Sequence, residues 1–138
     1  MVIVDTGGLV ALANENDVHH ERAKDILRDL KDRLITTWPV ITETSHLLLA
    51  RAGVTAQIRS LETYLSGAIA LFQLETVHFP RMFRLMESYA DLPMDLADAS
   101  LVILAEHLGD GRILSTDERD FKTYRWKNRK PFKNLLAN

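Results

Sequence analysis

The chain has 138 residues, 46% apolar and 26% charged, with a formal net charge of −2 and no cysteine. That length supports one domain burying roughly two-thirds of its unfolded surface, and the apolar-to-charged balance excludes a disordered tail, a collagen-like repeat and a coiled coil. Lack of cysteine removes disulfides, thiol nucleophiles and Cys-ligated zinc or iron–sulfur sites together.

In chain order, Val2–Val4 is a short β-branched run that reads as a buried strand, stopping at a turn over Asp5, Thr6, Gly7 and Gly8. This run meets Asp5 too early for a secretory leader. No later stretch approaches the ~18 apolar residues of a membrane span, so a cytoplasmic protein with no membrane partner is expected. A short helix over Leu9–Ala13 is followed by a longer one from about Val18 to Asp32, with Ala23, Ile26, Leu27 and Leu30 on one side and Asp17 as its cap. Leu34–Thr36 reads as a second strand. Thr37, Trp38 and Pro39 open a helix that Gly53 ends, and Thr55 is expected to cap the next.

A third strand is expected over Ile69–Leu74, then a helix over Phe79–Tyr89 whose Phe79, Met82, Phe83 and Met86 fall at core spacing. Asp95 starts an apolar helix from Leu96 to Leu108, closed by Gly109. Arg112–Leu114 is a fourth strand that ends at Ser115, Thr116 and Asp117, and a basic, aromatic segment from Lys122 to Lys133 is a candidate edge strand. Strands separated by helices cannot be hairpins. They imply crossover connections, hence an α/β fold: a three-layer α/β/α sandwich with a central, mainly parallel sheet, formed by residues 1–138 as a single domain.

Four carboxylates occupy costly positions in this scheme. Asp5 and Asp117 end the first and fourth strands, at the carboxyl edge where open α/β sheets bind ligands. Glu43 shares a helix stripe with Val40, Leu47 and Ala50, and Asp98 shares one with Leu101, Val102 and Ala105. Burying unpaired carboxylates costs several kcal/mol each, and a divalent cation, Mg²⁺ or Mn²⁺, would offset it through oxygen ligands. Each residue also has a plain structural use. Asp98 can complete a capping box with Asp95, Asp117 can cap the turn before Phe121, and Asp5 can make an Asx-turn; Glu43 has the weakest alternative.

The histidines read as surface or capping groups, since none has a His-x-x-x-His partner, although His46 lies one turn after Glu43. Asp5-Thr6-Gly7 also matches the aspartic-protease triplet, but those enzymes need an all-β frame and a carboxylate dyad.

In order along the chain stand Val-Ile-Val-Asp5-Thr-Gly-Gly-Leu, Thr-Glu43-Thr-Ser-His-Leu-Leu, Asp95-Leu-Ala-Asp98-Ala-Ser-Leu-Val and Leu-Ser115-Thr-Asp117-Glu-Arg-Asp-Phe121. This arrangement resembles a PIN domain, and in size and motif it is similar to the VapC toxins of toxin–antitoxin pairs. The resemblance implies a metal-dependent endoribonuclease acting on structured RNA such as tRNA or rRNA. It also implies 3′-hydroxyl and 5′-phosphate products, a cognate antitoxin protein and a homodimer. Asp5, Glu43, Asp98 and Asp117 fall on the family's acidic, metal-holding positions. Thr6 and Ser115 fall on hydroxyl positions that orient carboxylates or water. Asp95 sits where acidity varies among relatives, which leaves cap and ligand both open, while Asp120 and Phe121 complete the closing motif as structural residues. Two other readings stay open: a PIN nuclease of RNA processing with no toxin role, and a noncatalytic RNA-binding PIN domain.

Charge is unevenly spread. Residues 119–133 hold seven Lys and Arg side chains against Asp120 alone, with Tyr124, Trp126 and Phe132 interleaved. The segment suits either a strip that tracks an RNA backbone and stacks on bases or an edge strand blunted by lysines.

Overall fold

In the computed structural model, which describes residues 1–137, Val2–Val4 forms strand β1 with every side chain buried. Helix α1 (Thr6–Ala13) follows at once, so the expected turn at Asp5–Gly8 is the first turn of a helix, with Asp5 as its cap. Next come α2 (His20–Asp29) and β2 (Leu34–Thr37), then α3 (Trp38–Ala52) and α4 (Val54–Leu65), then β3 (Ile69–Phe72). A 3₁₀ turn at Thr76–His78 leads into α5 (Phe79–Ser88), α6 (Leu96–Leu108) and β4 (Arg112–Leu114). The chain finishes with α7 (Glu118–Thr123), a hairpin of β5 (Arg125–Trp126) and β6 (Lys130–Pro131), and β7 (Lys133–Asn134).

The main sheet has the order β3-β2-β1-β4-β7, and all four pairings are parallel. Ile3 pairs with Ile35 on one side and Ile113 on the other. Successive strands step outward from β1 to β3, and the chain then returns to the far side of β1 with β4. The order therefore reverses between β1 and β4, and at such a switch point the flanking connections diverge and leave a crevice beyond the strand ends. Helices cover the sheet: α1 packs on α2 and α3, and α5 packs on α6. Uninterrupted apolar strands such as Val2–Val4 require this double cover. No helix among the described residues is long and apolar enough to cross a membrane.

Several expectations need correction. The second helix starts at His20 rather than Val18, because the Asp17 carboxylate accepts from the His19 N–H at 2.8 Å and holds a turn ahead of the helix without capping it. Gly53, with φ of 89°, both ends α3 and precedes α4, so Thr55 lies inside the first turn and caps nothing. The third strand ends at Phe72, short of Leu74.

On α5, Met82 and Leu85 face the core, whereas Phe79 and Phe83 are 42% and 56% exposed and stack on each other with ring centroids 5.8 Å apart. Met82 is buried and Met86 packs partly on the core as expected, so the stripe is wider than the covered face only at the two phenylalanines. In the C-terminal segment Tyr124 and Trp126 are buried and Phe132 packs on Phe121, so these aromatics are core and offer no stacking platform for bases. The edge strand is β7, at the very end of that segment.

Candidate functional site

The crevice beyond β1 and β4 is a cleft of about 370 Å³ lined by six carboxylates: Asp5, Glu43, Asp95, Asp98, Asp117 and Asp120. Each is delivered by a local rule. Asp5 follows the last residue of β1, and its Oδ1 accepts the Gly8 N–H at 2.9 Å, capping α1. The α1 start can come this close to the sheet only because positions 7 and 8 are glycine. A Cβ at Gly8 would press on the Leu114 carbonyl oxygen and lie 2.8 Å from Val4 Cγ2, and one at Gly7 would collide with the Thr116 hydroxyl. Asp95 caps α6 by accepting the Asp98 N–H at 2.8 Å, and Asp98 returns a longer bond from the Asp95 N–H at 3.4 Å. Asp117 caps α7 by accepting the Asp120 N–H at 2.9 Å. The capping roles anticipated for Asp95, Asp98 and Asp117 are thus present, and these same caps aim the carboxylates into one space.

Glu43 departs from expectation. Val40, Ile41, Thr44 and Leu48 form the buried stripe of α3, and Glu43 and Ala50 are exposed, so Glu43 reaches the cleft from its rim and not from the core. Ser115 departs in the other direction. It is fully buried behind Asp5, where its hydroxyl donates to Asp5 Oδ2 and accepts the Asp117 N–H at 2.9 Å. Thr6 lines the cleft beside Asp5, on the same wall space that Glu43 reaches from the rim.

None of the six carboxylates makes a salt bridge among the described residues. Burial pushes Asp5 up to about 6 against the hydrogen bonds from Ser115 and Gly8, with repulsion from Asp117 and Glu43 adding to the rise. Asp98 rises to about 7, first from burial and then from the neighbouring Asp95 charge. Asp120 rises to about 6 through burial, a hydrogen bond shared with Asp117 and that residue's charge. Glu43 is raised by burial and by Asp95. At the back of the site the Tyr124 hydroxyl donates to Asp98 Oδ2 at 3.3 Å, and burial together with the Asp98 charge holds that phenol protonated.

Two lining residues lay outside the anticipated set. Asp120 stands one helical turn beyond Asp117 and shares the cleft, where a structural role in the closing motif was expected. Arg51 sits two turns beyond Glu43 on α3, at a spacing of eight that the sequence displayed. His46 stays outside the cleft in a shallow groove with Trp38 and Leu96. His78 caps the 3₁₀ turn, His20 bonds the Ala11 carbonyl at 2.7 Å and His107 stacks on Phe72, in keeping with histidines that serve the fold.

The donor set is all oxygen, which suits a hard divalent cation. Among the described residues no three of these side chains stand close enough to form a ready-made cage.

Fold and site together define a parallel α/β domain with an acidic, carboxylate-lined mouth at its topological switch point. The PIN domain family model matches residues 2–127, and the chain belongs to that family. It is 27% identical over 124 residues to Ribonuclease VapC26 of Mycobacterium tuberculosis (strain ATCC 25618 / H37Rv), covering 90% of this chain and 92% of the relative. Among solved structures it is similar to Mycobacterium tuberculosis VapC20, described as a sarcin–ricin loop cleaving toxin. The TM-score is 0.80 at 20% identity, over 86% of this chain and 92% of the other.

Proposed function

We propose that this chain is a divalent-metal-dependent endoribonuclease that serves as the toxin of a toxin–antitoxin pair. The observation that carries the reading is the cleft itself, in which six carboxylates gather at the carboxyl edge of a parallel sheet with Arg51 alone among them and, among the described residues, no salt bridge to any of the six. A fold gains nothing in stability from such a gathering, so its use lies in what it binds. Similarity to a ribonuclease over nearly the full chain supports RNA as the substrate.

Asp5, Glu43, Asp98 and Asp117 would share the holding of Mg²⁺ or Mn²⁺, one or two directly on a cation and the others through water, with Asp95 and Asp120 at the margin. When bound, the cation would neutralise phosphoryl oxygens, acidify water and steady the leaving alkoxide. Ser115 holds the Asp5 carboxylate in one orientation, and the Thr6 hydroxyl lines the cleft beside them, where it would meet bound water. A carboxylate of the cleft that does not touch the cation directly can accept a proton as the nucleophile forms. Arg51, at the rim, is placed to meet a backbone phosphate. The seven basic residues at 119–133 would favour the approach of a polyanion, their aromatic neighbours being committed to the core. A cognate antitoxin and a homodimer belong to the same proposal.

The test is cleavage of a panel of structured RNAs, one bearing a sarcin–ricin loop, by purified protein with Mn²⁺ or Mg²⁺. Cutting that ceases with a chelator and with Asp98→Asn is the expected result. An intact panel under conditions where Mn²⁺ binding is measured would overturn the reading. Growth arrest on expression, relieved by a small protein encoded beside this chain, would establish the toxin role, and a chain that cuts RNA without arresting growth would place it in RNA processing.

A further inference from the structure

Ser115 joins the two strand-end carboxylates. Its hydroxyl donates to Asp5 and accepts the Asp117 N–H, yet Ser115 lies one residue beyond β4, where the sheet no longer supports its backbone. The support comes from Asn134. On β7, Asn134 is paired with Ile113, and the ladder continues as the Leu135 N–H bonds the Ile113 carbonyl at 2.8 Å. The backbone of the tail then turns away. In its place the Asn134 side chain bonds both backbone groups of Ser115: Oδ1 accepts the Ser115 N–H at 3.1 Å, and Nδ2 donates to the Ser115 carbonyl at 3.0 Å. Oδ1 also accepts the Leu136 N–H at 3.1 Å, which fixes the amide's own rotamer.

We infer that Asn134 is a positioning residue of the active site, acting through Ser115 on Asp5 and Asp117. Its amide continues the sheet by one residue and so sets where the Ser115 hydroxyl stands, and with it the direction of the Asp5 carboxylate. Only a carboxamide offers a donor and an acceptor together at this reach: aspartate loses the donor, and leucine leaves a buried N–H and C=O unsatisfied. Asn134 lies beyond residue 127, where the match to the family model ends, and directly after the basic segment that closes at Lys133. Groups that orient ligand side chains commonly change metal affinity or rate by about 10- to 100-fold when removed.

The inference rests on the nuclease reading, and its test separates the two. In Asn134→Ala, amide hydrogen exchange at Ser115 and Asp117 is expected to accelerate while that of Ile3 and Ile35 is unchanged. Affinity for Mn²⁺ alone should fall about 10-fold, and kcat for RNA should fall about as much with KM unaltered. Asn134→Gln keeps a carboxamide but sets it one methylene too far, and it guards against failure to fold. It should melt cooperatively with a Tm no lower than that of Asn134→Ala and still lose Mn²⁺ affinity and kcat. Leu85→Val, in the buried face of α5, supplies a variant of lowered stability with an intact site. Asn134 variants that match wild type in Mn²⁺ affinity and kcat, or lose no more than Leu85→Val does, would overturn the inference while leaving the nuclease reading standing. A wild-type protein that neither binds Mn²⁺ nor cuts RNA would remove both.

Discussion

Strand β4 has carboxylates at both ends, and the fold treats them in opposite ways. At its start, Arg112 lies 2.7 Å from Asp32 and 2.8 Å from Asp110, and it also takes the Asp110 carboxylate through its backbone N–H. Burial works against Asp110, but the Arg112 hydrogen bonds and charge hold it below the ordinary carboxylate range. At its end, three residues later, Ser115 sits buried behind Asp5 and Asp117 enters a mouth whose acids form no salt bridge among the described residues, and Asp5, Asp98 and Asp120 are all raised. The first arrangement is what a protein does with acids that only need to be accommodated. The second keeps a local deficit of positive charge, and on the proposed reading an external cation fills it, so the contrast would separate structural from functional carboxylates on one strand.

The contrast can be broken most severely by chemistry. Asp5→Asn is expected to lower RNA cleavage on the order of 10³-fold, equivalent to about 4 kcal/mol of barrier. Asp110→Asn at the other end should leave cleavage within about twofold, since the sites share no partners. Equal losses in a steady-state assay would mean that the two ends do not differ in function.

Next in size is the packing that forms the mouth. Gly8→Ala pushes a methyl group against the Leu114 carbonyl and Val4, and overpacking of this kind costs about 1–3 kcal/mol, readable in urea denaturation. Asn134 variants, with their expected 10-fold effects, fall next.

A smaller effect comes from pH. The Asp98 carboxyl is raised from 3.8 to about 7, so the folded state favours its neutral form. Its contribution to stability is full below 3.8 and is lost as pH rises through about 7. Metal-free wild type should therefore equal Asp98→Asn in Tm near pH 4 and fall below it by about 2–5 °C near pH 8. Saturating Mn²⁺ should narrow that gap for wild type alone. Thermal melts in which the gap is constant with pH would show that Asp98 is not held in the raised state. Smallest is Arg112→Ala, where the partly exposed pairs to Asp32 and Asp110 are worth about 1 kcal/mol together, and the loss should shrink in high salt.

Much of this was legible along the chain because it depends on short-range rules. Val2–Val4 and Arg112–Leu114 announce themselves as strands by continuous apolar runs, and Asp95 and Gly109 bracket α6 by capping chemistry. The acids at 5, 98 and 117 stand at element ends, where a local pattern reveals them. Glu43 was found for a partly mistaken reason, since its stripe faces the cleft and not the core. Phe79 and Phe83 misled because periodicity gives a helix face but not the width of the neighbour that covers it. Asp120 looked structural because Asp117, its hydrogen-bond partner, is local, whereas Asp5 and Asp98, with which it shares the cleft, come from elements far away in sequence.

By itself the sequence determined which segments become strands and helices, and which carboxylates end them, because hydrophobic period and capping act over a few residues. Tertiary structure alone decided that these ends meet at one switch point and that Tyr124 and Trp126 turn inward under a basic surface. It also decided that Asn134, 19 residues from Ser115, supplies the clamp behind Asp5. Those outcomes depend on strand order and register, which arise when separate pieces of chain compete to bury the same apolar surface, and no local pattern encodes the result of that competition.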